Sequence, residues 1–180
     1  LWTYTLDSSS FNSISISQDG KYIVSGSSDN LVRLFNKSSS NPIWSYETSG
    51  SIQDLEISDD GNFIATLDWS GKVYLFQTSS NITIWTSSTS SSGYLLSISS
   101  DGSYIAVVSG CTIYLFSKES STALWTNSPG CARVGLDFSS DGRYFAAVEN
   151  VLVLYSVESS TPLWTYSFSG EDANDVAISS

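Results

Sequence analysis

The dipeptide Asp-Gly returns at Asp19-Gly20, Asp60-Gly61, Asp101-Gly102 and Asp141-Gly142, at intervals of 41, 41 and 40 residues. So regular a recurrence makes the chain an array, and its folding unit a repeat of about 40 residues. Each dipeptide sits in a longer copy: ISISQDGKYIV from Ile14, LEISDDGNFIA from Leu55, LSISSDGSYIA from Leu96 and LDFSSDGRYFA from Leu136. A fifth copy, VAISS, starts at Val176 and stops at Ser180, before its Asp-Gly. Apolar and polar residues alternate on both sides of the dipeptide, and β-branched and aromatic types dominate, so the repeat is β rather than helical.

One period predicts four short strands. Phe11 to Ser17 leads into the Asp-Gly turn, Tyr22 to Gly26 follows it, Leu31 to Phe35 comes next, and Ile43 to Tyr46 restarts the cycle. With these strands named a, b, c and d, strand c recurs as LVRLF at 31, KVYLF at 72, TIYLF at 112 and VLVLY at 151. Strand d carries Trp2, Trp44, Trp85, Trp125 and Trp164, an independent ruler of the same period, and only Trp69 falls outside it. Four short strands per period of about 40 residues is the content of one propeller blade. The expected division is a leading d strand at 1–6, blades at 7–47, 48–88, 89–128 and 129–168, and the start of a fifth at 169–180.

Composition bounds the function. Lys and Arg number 7 against 18 Asp and Glu, a net charge of -11, which argues against nucleic acid and anionic membrane as partners. At 41% hydrophobic and 13% aromatic the chain is too apolar for disorder, and no run approaches the roughly 20 apolar residues of a spanning helix. It begins at Leu1 and has no Met, which points to a processed chain or a piece of a longer one. The absence of His removes Ser-His and Cys-His nucleophiles, imidazole bases and imidazole metal ligands, and two cysteines do not make a zinc site. No catalytic residue, cofactor site or metal site is expected.

The repeat context decides most single residues. Asp19, Asp60, Asp101 and Asp141 occur once per blade where a type I′ hairpin turn wants them, which makes them turn residues before acids. The five periodic tryptophans are expected to pack between neighbouring blades. Trp69, in a b-to-c turn, is the candidate for a partner contact. Glu171, Asp172 and Asp175 form an acidic loop without calcium-loop spacing, and Glu56 and Asp137 lie on a strands near the expected central channel. Cys111 in a b-to-c turn and Cys131 in a d-to-a connection open on one face of a propeller. A disulfide between them would close a loop of 20 residues (131 − 111) and stabilise by about 3 kcal/mol, in an oxidising compartment; the alternative is two separate buried thiols. The sequons at Asn36 and Asn81 agree with such a location.

The pattern Ser-x-Asp-Gly-x-Tyr-Ile-Ala followed by Val-x-Leu-Phe resembles a WD-repeat blade. Phe35-Asn36, Phe76-Gln77, Phe116-Ser117 and Tyr155-Ser156 stand where such blades end in Trp-Asp. The hairpins LFSKESSTALWT at 115 and LYSVESSTPLWT at 154 are similar to the tryptophan-docking pattern of PQQ-like (quinoprotein-type) propellers. Without His the WD buried network is absent, and nothing in the sequence corresponds to a recognisable quinone or metal site, so the PQQ-like resemblance implies architecture and no cofactor. It implies an all-β propeller of four complete blades with an orphan strand at each end. The open blade faces are to be covered by more blades of a longer chain, by self-association into a homo-oligomer, or by closure into a strained four-bladed ring. The function expected is a non-enzymatic protein-interaction or structural module, secreted or at the cell surface. The competing readings are a propeller enzyme or cofactor-binding protein with active residues in other blades, and an intracellular scaffold.

Overall fold

The structure is a computed structural model, described here for residues 2–129, 135–148, 151–168, 173 and 175–179. Among these, all regular structure is β. Sheet 1 holds β1 (Phe11–Ile16), β2 (Tyr22–Ser27), β3 (Leu31–Asn36) and β4 (Trp44–Glu47), and sheet 2 holds β5 (Ile52–Ile57), β6 (Phe63–Asp68), β7 (Lys72–Gln77) and β8 (Thr83–Ser88). Sheet 3 holds β9 (Gly93–Ile98), β10 (Tyr104–Ser109), β11 (Thr112–Ser117) and β12 (Ser120–Asn127), and sheet 4 holds β13 (Gly135–Phe138), β14 (Tyr144–Val148), β15 (Val151–Ser156) and β16 (Trp164–Ser167). Each sheet is antiparallel with its strands in chain order, as short hairpin loops require. No sheet is closed.

Alternation explains the strands and burial on both faces explains their apolar middles. In sheet 2 the second and third strands, IATL in β6 and VYLF in β7, are buried almost throughout because a sheet stacks on either side, whereas β15 of sheet 4, with a sheet on one side among the described residues, is buried only in part. Three core clusters fill the seams: Val24, Leu34, Leu55 and Phe76 between sheets 1 and 2, Leu67, Leu75, Leu96 and Phe116 between 2 and 3, and Val108, Leu115, Phe138 and Tyr155 between 3 and 4. The first strands of successive sheets, β1, β5, β9 and β13, pack one against the next. Gly26 of β2 and Gly93 of β9 lie in these seams, where an added Cβ would collide with Ile52 and Leu67 respectively. Tyr155 replaces the Phe of the other three copies, and its phenol is buried without a partner. Burial pushes that phenol up to about 12.

The Asp-Gly turns differ from the expected type I′ geometry. That turn needs positive φ at both central residues, but only the glycines adopt it, from 65° at Gly20 to 71° at Gly61. The glycine N–H instead donates to a serine carbonyl three residues back, 2.8 Å at Gly20–Ser17, closing a β-turn with Gly in the last position. The serine controls the outcome. Ser17 Oγ donates to Asp19 Oδ1 at 2.7 Å and accepts from Tyr22 N at 3.1 Å, so four residues are looped out instead of two. Ser58, Ser99 and Ser139 repeat this contact set.

Neither end segment forms the expected orphan strand. Residues 2–6 and 175–179 join no ladder, because a d strand pairs only with the c strand of its own sheet, and an a strand only with b. Residues 2–6 still lie on sheet 1 with Trp2, Tyr4 and Leu6 half-buried and Thr3 and Thr5 exposed.

Candidate functional site

In sheets 1 to 3 the b-to-c turns and the d-to-a loops meet at one side of the sheets, and hydrogen bonds tie the turn to the preceding loop. In sheet 2 the buried Asp68 accepts at Oδ1 from Ser70 Oγ (2.5 Å) and Lys72 N (3.0 Å), and at Oδ2 from Ser49 Oγ (2.9 Å) and Tyr74 Oη (3.0 Å). Burial alone would raise Asp68, yet these four donors hold its carboxyl below the usual value. In sheet 1 the corresponding turn is held by Arg33 on Asp29 at 2.5 Å, a contact that keeps Asp29 down at about 2. In sheet 3 Ser109 Oγ donates to Ser91 O at 2.7 Å. Trp69 stands on this scaffold: its backbone N–H donates to Ser51 O at 2.8 Å, while its ring is exposed and stacks on no other ring among the described residues. A rigid turn presenting an uncommitted indole is a ready anchor for a partner.

A second set of polar groups lines the free edges of the first strands. Ser15 Oγ accepts from Ile57 N at 3.2 Å, Asp54 Oδ2 from Leu96 N at 2.9 Å, Glu56 Oε2 from Ile98 N at 2.7 Å, and Asp137 Oδ2 from Ile178 N at 2.8 Å. Each first strand has a partner on one side only, so its other edge exposes N–H groups. In β5 and β9 a side chain from the preceding sheet satisfies them. Burial pushes Glu56 up to about 7 against the hydrogen bonds from Ile98 N and Ser97, with the neighbouring charges of Asp54 and Asp137 adding to the rise. Asp54 and Asp137 are also raised, chiefly by burial. Sequence placed Glu56 and Asp137 on these strands but missed Asp54. Ser15, Glu56, Ser97 and Asp137 share one register position of the repeat, but at the position of Asp54 the other copies have Ser13, Leu95 and Gly135, so only the pair Ser13 and Ser15 signalled it.

The tryptophans make the most regular contact. The indole N–H donates to a hairpin carbonyl of the next sheet in four cases: Trp2 to Lys37 (2.8 Å), Trp44 to Thr78 (2.9 Å), Trp85 to Lys118 (3.0 Å) and Trp125 to Val157 (3.0 Å). Each ring also packs on the aromatic that ends the next c strand: Phe35, Phe76, Phe116 and Tyr155, at centroid distances of 5.5 to 5.7 Å. Trp164 departs from the expected packing. It is 47% exposed where Trp85 is 9%, because no further sheet stands beyond it among the described residues.

The other sequence candidates are scattered. Asp19, Asp60, Asp101 and Asp141 serve their own turns and are held below their usual value. Asn36 ends β3, and its Oδ1 accepts from Ser38 N (3.0 Å) and Ser38 Oγ (2.7 Å), while Asn81 is exposed in the β7–β8 hairpin. Cys111 is half-buried in the β10–β11 turn; Cys131 lies outside the described residues, as do Glu171 and Asp172. Among the described residues there is no free cysteine. Asp175 is exposed and accepts from Val176 N at 2.8 Å. Among the described residues no group of His, Cys, Asp and Glu is placed to hold a metal ion, and no helix is long and apolar enough to cross a membrane.

No curated protein matches the chain. Residues 2–124 match the family described as a family of unknown function, DUF5711. That span runs from the first docking tryptophan into the last strand of the third sheet and covers well over half of the sequence, and on it the chain belongs to the DUF5711 family.

Proposed function

We propose that the chain is a β-propeller segment of WD-repeat and PQQ-like character, working as a non-enzymatic interaction and structural module outside the cell or on its surface. The observation that carries this is the indole docking repeated from sheet to sheet. It commits the periodic aromatics to architecture and leaves Trp69, outside the period, as an exposed ring on a braced turn. The sequence contains no His, Asp54 and Glu56 are occupied by backbone N–H groups of the next sheet and Asp137 by that of Ile178, so the polar chemistry serves assembly. Partners dock on the turn side, where copies differ most.

The test compares the immobilised chain with its Trp69→Ala variant. Proteins of a cell-surface or secreted fraction retained by the chain should bind the variant about tenfold more weakly or worse, with the circular dichroism of the variant unchanged. Equal retention by both, or a visible chromophore that co-purifies with the protein, overturns the reading; the chromophore would favour a propeller enzyme or cofactor-binding protein.

The location rests on the Cys111–Cys131 disulfide, which we propose from the position of Cys111 in its turn and the absence of other cysteines in the sequence. Purified protein denatured without reductant should leave both thiols unreactive to an alkylating reagent, and should take up two equivalents after reduction. Two equivalents without reduction would instead support an intracellular scaffold. Glycans at Asn36 and Asn81 belong to the same proposal.

A further inference from the structure

The two ends of the chain carry nearly the same segment. Leu1-Trp2-Thr3-Tyr4-Thr5 at the start matches Leu163-Trp164-Thr165-Tyr166-Ser167 near the end at four of five positions, with Thr for Ser at the fifth. Their settings are opposite. Trp2 packs on Phe35 at 5.7 Å, Tyr4 meets the same ring edge-on at 5.1 Å, and the Trp2 indole donates to Lys37 O. Trp44 and Tyr46 of β4 make the same contacts with Phe76, at 5.6 and 4.9 Å, with Thr78 O as acceptor. Residues 2–6 thus occupy on sheet 1 the place that the fourth strand of a preceding sheet occupies on its neighbour. β16 is such a fourth strand with nothing docked against it: Leu163, Trp164 and Tyr166 are exposed, and the Trp164 indole has no acceptor among the described residues.

The other half of the junction is equally unpartnered. Ile14 and Ile16 of β1 are 71% and 59% exposed, whereas their counterparts Leu55 and Ile57 in β5, covered by sheet 1, are each 3% exposed. On sheet 4 the place of a following first strand is taken by residues 175–179, where Ile178 N donates to Asp137 Oδ2 at 2.8 Å. That repeats the bond of Ile98 N to Glu56 Oε2 at 2.7 Å, and Ile16 is the residue of β1 at the same register position.

We infer that the face of sheet 1 under residues 2–6 is a docking site for β16 of a second copy of this chain, joined head to tail. Trp164 of one copy takes the place of Trp2 on Lys37 O and Phe35 of the other, and β1 of the second copy takes the place of residues 175–179 on the first. The junction then has the contacts of the three internal seams. Such an interface is heterologous, and it closes into a ring or extends according to the rotation per sheet. Residues 2–6 act as an internal plug that lowers the apparent affinity by holding the site occupied. The net charge of -11 on each copy opposes association, so salt strengthens it. This inference deepens the interaction-module reading, on which it rests for the nature of the partner.

Sedimentation velocity at about 0.15 M salt on the full chain, on the chain lacking residues 1–6, and on that shortened chain with Trp164→Ala gives the test. The shortened chain should reach at least twice the monomer mass, which is 19.5 kDa for the full chain, at concentrations about tenfold or more below those the full chain requires. Trp164→Ala should return it to monomer. Because the shortened chain could fail to fold, a labelled peptide of residues 162–168 is titrated into the full chain as well. It should bind saturably, be displaced by a peptide of residues 1–6, and bind about tenfold more weakly with Trp164→Ala. A shortened chain that folds and stays monomeric overturns the proposal, as does association that survives Trp164→Ala, or a peptide that binds neither form. Peptide docking without self-association also overturns it, assigning the face to another repeat of the same polypeptide. Trp69→Ala should leave every one of these readouts unchanged, so failure of the loop-docking reading remains distinguishable from failure of this one.

Discussion

Trp85→Ala is expected to lower the free energy of unfolding by about 4 kcal/mol, and Trp164→Ala by less than about 1 kcal/mol, although both residues hold the same position in the repeat. The Trp85 ring is buried in the seam between sheets 2 and 3, packs on Phe116 at 5.6 Å, and donates to Lys118 O at 3.0 Å. Truncation removes the ring's buried area, leaves a void between two sheets, and strips a hairpin carbonyl of its donor. Trp164 buries little and donates to nothing among the described residues, so its truncation removes mainly exposed surface. Urea unfolding followed by far-UV circular dichroism, which does not depend on the tryptophans being replaced, measures both. Equal losses at the two positions would show that the indoles do not act through the following sheet.

Glu56→Gln is expected to change how stability responds to pH. Folding raises this carboxyl from its ordinary 4.5 to about 7, so between those values the folded chain holds a proton that the unfolded chain has released. Stability from this group is therefore fully present below about pH 4.5 and is lost as pH rises toward 7, by at most about 3 kcal/mol. The raised Asp54 and Asp137 act with the same sign. Asp19, Asp29, Asp60, Asp68, Asp101 and Asp141 act oppositely: each is depressed, so its contribution is present above its ordinary value of 3.8 and lost as pH falls through the folded value. Together they place the stability maximum at about pH 4 to 5, below the usual range. Gln at position 56 keeps an acceptor for Ile98 N and cannot ionise, so the variant should match the parent at pH 4.5 and exceed it at pH 8. A parent whose urea midpoint rises steadily from pH 5 to pH 8, or a variant with the parent's slope, would refute this role.

Sequence periodicity carried the four strands of each sheet and the docking of Trp44, Trp85 and Trp125, since these follow from alternation and a fixed repeat, but the same periodicity also placed a strand at either end where none forms. It misjudged the Asp-Gly turns because the dipeptide was weighed without Ser17 and its counterparts, whose hydroxyl bridges the aspartate and the residue five positions on. It missed the bulges opening the first strands, between Phe11 and Ser13 and between Ile52 and Asp54, although the extra residue shifts the alternation there, with apolar residues at 11, 14 and 16 and at 52, 55 and 57. The direction of Glu56 was also out of reach. Alternation says which face of a strand a side chain occupies, and not that the neighbouring sheet has an unpaired N–H waiting there. Trp164 shows the limit most plainly: its local sequence is that of a docked residue, and only its neighbourhood makes it an exposed one.

The acceptors that reach across to the next sheet's backbone have a consequence for how such a chain changes in length. A donor and its acceptor always belong to consecutive repeats, never to the same one, and the indole of one repeat likewise finds its carbonyl in the next. Adding or removing one whole period of about 40 residues in register therefore leaves the indole junction between successive sheets complete. Cutting within a period orphans groups on both sides of the cut. An array wired this way tolerates duplication of entire units far better than any partial insertion, and its length is free to vary in whole steps while its seams stay the same.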